Sequence, residues 1–173
     1  MKTVMRIILL ILLCTSYNAK CQDRSEPKFN NAGYKNLNHY IEDKIHPIIK
    51  GSKVTTICMN SASFCKFDIL ENGQVGKISF TLNTPLDLIE AYKSVLYSTN
   101  GRWEPQLKDG KSIDSDPFLL PIMFYFTVGC NKAGDVTNDL ETPIRNILKF
   151  DDGVELKNLK CIILPPAVIG AID

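Results

Sequence analysis

Two histidines and a single tryptophan in 173 residues leave little material for most catalytic or metal-binding constellations. Ser-His-Asp and Cys-His arrangements need a histidine that something selects. His39 and His46 both precede Cys58, Cys65, Cys130 and Cys161, and no histidine follows Cys65. The cysteine spacings are not those of zinc knuckles, and neither histidine sits in a ligand pattern. No catalytic residue, metal or cofactor is therefore assigned, and the acidic runs "YIEDK" and "KFDDG" read as solvated surface. Charge of one sign is also missing: 20 basic residues face 19 acidic ones with no basic stripe. That excludes nucleic acid as the expected partner, because binding it depends on clustered Lys and Arg neutralising phosphates.

The one long uninterrupted apolar run lies at the start. Lys2 and Arg6 precede "IILLILLC" (residues 7–14), and small and polar residues follow, the layout of a secretory signal peptide over residues 1–21. The run is too short for a folded membrane anchor. Ala19 and Cys21 suit cleavage that leaves Gln22 first, with a cut after Ala19 as the alternative. Leu13 and Lys20, before Cys14 and Cys21, are too large for a lipoprotein signal. The expected protein is periplasmic or secreted and does not span a membrane once the leader is removed. Lys2, Arg6 and Lys20 leave with the leader, so 17 bases remain against 19 acids. Four cysteines remain in a chain bound for an oxidising compartment, which favours disulfides. Three pairings are possible. Cys58 with Cys65 and Cys130 with Cys161 is preferred, and free buried thiols stay open as an alternative.

Along the chain, residues 22–33 are polar and turn-rich and read as a flexible lead-in. Tyr34, Leu37, Ile41 and Ile45 recur at helical spacing, with Pro47 expected to end that helix. In "CKFDILENGQVGKISFTL", Cys65, Phe67 and Ile69 alternate with Lys66 and Asp68, and Ile78, Phe80 and Leu82 with Lys77, Ser79 and Thr81. With Asn72-Gly73 between them, this predicts a β-hairpin with one buried and one wet face. Thr84 as N-cap, Pro85 at the first position and Asp87 at capping-box spacing open a second helix. Its expected stripe is Leu86, Ile89, Tyr92, Val95 and Leu96, and Asn100-Gly101 is its left-handed stop.

Next comes a charged connector holding Trp103, whose large apolar body should fold onto the core while its indole N–H stays at the wet rim. "FLLPIMFYFTV" (residues 118–128) is strongly β-prone, with Ile122, Phe124, Phe126 and Val128 on one face and Met123, Tyr125 and Thr127 on the other. Pro117 and Pro121 lack donors, which places at least the first half of the strand at a sheet edge, and an exposed edge is a binding opportunity. Thr142-Pro143 resembles a short helix start, and "LKCIILPP" (residues 159–166) reads as a last strand. The class is α+β, with helices packed on one face of a small antiparallel sheet over residues 34–128 and a C-terminal extension over 129–173.

This order resembles the C-terminal domain of TonB-type energy transducers. "HPIIKGS" (46–52) is similar to the family's Tyr-Pro segment, "CKFDILENGQVGKISF" (65–80) to its hairpin, and "PLDLIEAYKSVLYSTNGRWEP" (85–105) to its helix ending in Trp-x-Pro, here Trp103 and Pro105. "DGKSI" (109–113) is similar to the turn before its last strand, and the likeness covers roughly residues 37–128. Trp103, Pro105, Pro47 and Gly73 are then structural. The resemblance implies an exported, non-enzymatic protein-interaction module of the cell envelope. In that family the last strand accepts an extended peptide of an outer-membrane transporter by strand addition. The implied edge is Phe118, Leu120, Met123 and Tyr125. A small secreted binding or inhibitor domain is the alternative, with a hydrolase third.

Overall fold

The computed structural model describes residues 24–31, 33–50, 59–126, 146–147, 149–156 and 159–171. Along the chain come β1 (Arg24–Ser25), β2 (Lys28–Phe29), α1 (Leu37–Lys50), β3 (Met59–Phe67) and β4 (Ser79–Phe80). There follow α2 (Leu86–Tyr97), β5 (Trp103–Glu104), β6 (Gln106–Lys108), β7 (Lys111–Ile113), β8 (Phe118–Phe126), β9 (Ile162–Ile163) and β10 (Ala167–Ala171). The class is α+β, as expected, but the main sheet is mixed. Its order is β10-β8-β3-β4, with β3 antiparallel to β8 and β4, and with β9 and β10 both parallel to β8.

The backbone of this sheet is the β3–β8 pair, in continuous register from Met59 opposite Phe126 to Phe67 opposite Phe118. Side chains alternate across a strand, so the register sorts them into two faces. Ser63, Cys65 and Phe67 of β3 share one face with Phe118, Leu120, Ile122 and Phe124 of β8, all buried. Both helices pack on that face. The buried stripe of α1 is Leu37, Tyr40, Ile41, Ile45 and Ile49, and that of α2 is Leu88, Ala91, Tyr92, Val95 and Leu96.

Several local expectations change. Pro47 lies inside α1 instead of ending it. The ring removes one amide donor in the last turn, and burial of Ile49 at 3% exposure favours continuing the helix through it. Thr84 does not cap α2. Pro85 holds the N-cap position with no side-chain cap, and the Thr84 hydroxyl donates instead to the Thr81 carbonyl at 2.7 Å. The stripe of α2 is rotated, which leaves Leu86 77% exposed, because periodicity defines a face but docking on the sheet chooses which one. Gly101 does take the left-handed conformation that ends this segment, at φ 75°.

The hairpin forms, with Cys65 opposite Phe80 and Lys66 opposite Ser79, a bridge from Ile69 to Val75, and Gly73 at φ 76° in the turn. A Cβ on Gly73 would stand 2.7 Å from the Trp103 carbonyl oxygen, so both the turn and this close approach require glycine. Leu82 is exposed at 54%, because the Thr84 amide bonds back to Thr81 and turns the chain away just after Phe80.

The expected wet face is covered at Lys66, Ser79 and Thr81, while Lys77 stays exposed. Residues 149–155 form a tight turn, with Lys149 bridged to Glu155 and Phe150 to Thr81, that lies along β4. The Leu82 amide donates to the Lys149 carbonyl at 3.0 Å and the Asp151 amide to the Phe80 carbonyl at 2.8 Å. Lys66, Ser79, Leu119 and Phe150 are all buried here. Asp152, from the run read as solvated surface, accepts from Lys66 Nζ at 2.6 Å and Ser79 Oγ at 3.0 Å through one oxygen, and from the Val154 amide at 3.1 Å through the other. The Lys66 ammonium also stands 4.9 Å above the Phe150 ring. Burial alone would raise the Asp152 pKa. The hydrogen bonds from Lys66, the Val154 amide and Ser79, with the Lys66 charge, outweigh it and hold the carboxyl at about 2 against an ordinary 3.8.

Asp152→Asn is expected to lower the unfolding free energy by about 3 kcal/mol at pH 7 in denaturant titrations, since it strands the Lys66 charge. A depressed carboxylate pKa contributes stability that is full above its ordinary 3.8 and lost as pH falls through about 2. The stabilities of the parent and the variant should therefore converge across that window; a gap that stays constant down to the lower end would contradict this role.

Candidate interaction edge

The strand expected at the edge is interior. On one side β8 pairs with β3 along its whole length. On the other, Phe118 and Leu119 pair with Ile162 and Ile163, and Ile122 through Phe126 pair with Ala167 through Ala171. Phe118 and Leu120 are core residues at 4% and 0% exposure, Met123 is half-buried on the opposite face, and Tyr125 pairs by backbone with Asn60 and Gly170. The sequence pattern missed β10, whose only signal is Val168-Ile169 between small residues just after Pro165-Pro166.

The prolines behave as their chemistry demands, though in the middle of a sheet. The Phe64 amide donates to Thr81 Oγ1 and its carbonyl accepts from the Thr81 amide, each at 3.0 Å, so the backbone of Phe64 faces β4. Its partner Pro121 is then a non-hydrogen-bonded pair with it, and the Pro121 nitrogen points away from β3. On that side the Ile162 amide donates to the Pro117 carbonyl at 2.8 Å and the Leu164 amide to the Leu119 carbonyl at 2.9 Å. Pro121 meets the break between β9 and β10, where Pro165 and Pro166 also lack donors.

Among the described residues β10 is the sheet's edge on this side. Ala167 and Ile169 face the helices at 0% and 6% exposure, while Val168 is 51% and Ile163 69% exposed on the other face. α1 braces the strip, with the Asn38 side-chain amide donating to the Pro165 carbonyl. At the far edge β4 is covered by the 149–155 turn.

Trp103 closes the other end. Residues read as a flexible lead-in are ordered here. β2 pairs with β5, placing Phe29 opposite Trp103, and β1 pairs with β6 in a second, three-stranded sheet β1-β6-β7. The Trp103 ring lies 5.2 Å from Phe29, 5.6 Å from Phe118 and 6.2 Å from Phe67. Its N–H is not at a wet rim. It donates to Thr99 Oγ1 at 2.9 Å inside the protein, and Thr99 in turn donates to the Leu96 carbonyl. Pro105, between β5 and β6, is half-buried and marks the step from one small sheet to the other.

Cys65 and Cys161 carry free thiols; Cys58 and Cys130 lie outside the described residues, and with them one end of each expected disulfide. Burial pushes the Cys65 thiol well above its ordinary pKa, with the Asp151 charge adding to it and Lys93 opposing. The His39 ring lies 5.7 Å from that of Tyr34, tilted at 57° to it. Among the described residues no group of three or more His, Cys, Asp or Glu side chains is placed to hold a metal ion, and no helix is long and apolar enough to cross a membrane. Thr127, Val128 and the helix start expected at Thr142-Pro143 lie outside the described residues. No family model, no curated protein and no solved structure matches this chain.

Trp103→Phe keeps a ring against Phe29 and Phe118 but removes the donor to Thr99, and is expected to cost about 1 kcal/mol. Trp103→Ala should cost about 3–5 kcal/mol by opening the aromatic end of the core. Urea titration distinguishes them; equal losses would mean that the buried hydrogen bond, not the ring, accounts for everything.

Proposed function

We propose that this chain is an exported, non-enzymatic protein-interaction module of the cell envelope, TonB-like in its helix-on-sheet arrangement, that takes up an extended segment of a protein partner by strand addition. An outer-membrane transporter is the partner that the TonB-like reading implies. The reading rests on one observation: the side of the sheet closed by β10 ends, among the described residues, in a five-residue strand with no further strand beside it. Such an edge offers main-chain donors and acceptors for affinity, and alternate side-chain positions for selectivity. The segment enters on the β9–β10 side, because those strands occupy the β8 edge that the sequence offered.

A photo-crosslinking residue at position 168, in protein expressed in its native host, is expected to join a defined extended segment of an envelope protein. The same residue at Tyr97, which is 45% exposed on α2, should not. The captured species should begin near Lys20 or Gln22, as an exported mature chain would. Equal capture from both positions, or none from either, would defeat the reading.

A further inference from the structure

The two ladders of β8 are unequal. Toward β3 the pairing is antiparallel and unbroken over nine residues. Toward β9 and β10 it is parallel, which is weaker per residue, and split into two and five pairs. Alternation from Pro117 and Leu119, whose carbonyls face that side, puts Pro121, Met123 and Tyr125 on the same side. Of these five positions, Pro117 and Pro121 have no N–H to give. Among the residues of β10 whose burial is described, Ala167 and Ile169 join the core and Val168 is left 51% exposed.

We infer that β10 is an exchangeable, built-in occupant of the β8 edge, and that the partner segment binds by taking its place against Ile122 through Phe126. This rests on the strand-addition reading and specifies its ligand. The entering segment runs parallel to β8, with a small residue at the Ala167 position, opposite Ile122, and a β-branched or comparable apolar residue two further on at the Ile169 position, opposite Phe124. The residue between them, at the Val168 position, faces outward and is unrestricted. The same seat rejects a bulky or charged residue at the Ala167 position, because that site is fully buried beside α1. Self-occupation lowers the apparent affinity for any competitor by the fraction of time β10 is out, so partner binding is held in check until a better-fitting strand arrives.

The test uses the whole chain and a labelled synthetic peptide spanning residues 165–171. In the native protein, the Met123 and Tyr125 amides should exchange with deuterium about 100-fold faster than amides of the β3–β8 ladder, as expected for local release of one strand. Ile169→Asp, which unseats β10, should bind the peptide at least about tenfold more tightly than the native chain, and binding should restore Met123 and Tyr125 protection. Val168→Lys should match the native chain. If Met123 and Tyr125 exchange only with global unfolding, or Ile169→Asp loses protection throughout β3, β10 is an integral strand and the inference falls. Equal binding to both chains with β10 amides still protected would place the segment outside β10, sinking displacement while leaving strand addition standing. Absence of binding to either would remove the strand-addition reading itself.

Discussion

Everything in this protein is arranged around the nine-residue register of β3 against β8. A slip of β3 by one position would carry Cys65 and Phe67 to the other face and bring Lys66 under the helices, opposite a β8 whose Leu120, Ile122 and Phe124 stay there. With the register in place, α1 and α2 have one continuous apolar surface to cover. The alternation around the Asn-Gly hairpin then becomes a consequence of packing as well as of propensity.

A second constraint works on the opposite face. A sheet with one covered face leaves Lys66 and Ser79 in water, which is how their alternation reads in isolation. Here a turn from far along the chain brings Phe150 and Asp152 over them, forming a small second core in which the Lys66 ammonium has a carboxylate and an aromatic ring as partners. A buried ammonium is tolerable only with such compensation. The same turn blunts the β4 edge, so the two sides of the sheet differ: one is tied down by a buried ion pair and backbone hydrogen bonds, the other by a short parallel strand between prolines and solvent.

That asymmetry distinguishes the two sides of the sheet. The prolines read in the sequence as the mark of a sheet edge, whereas the structure pairs β8 on both sides and places both missing donors on one of them. Their position in an interior strand is permitted because the neighbouring segment breaks at Pro165-Pro166, opposite Pro121. That side of β8 is therefore occupied, by two short parallel strands of two and five pairs.

The sequence by itself determined the α+β class, the two helices, the hairpin with its glycine turn, the strand at 118–126 and the burial of Trp103. Each of these is written in local periodicity, turn chemistry or the cost of exposing a large ring. Only the tertiary structure decided that Phe29 completes the Trp103 cluster, that Asp152 leaves the surface to meet Lys66, that α2 turns Leu86 outward and that β10 covers the expected edge. Phe29 and Trp103 are 74 residues apart, and Lys66 and Asp152 are 86. No local pattern encodes such pairs, because their free energy exists only once the chain between them has closed.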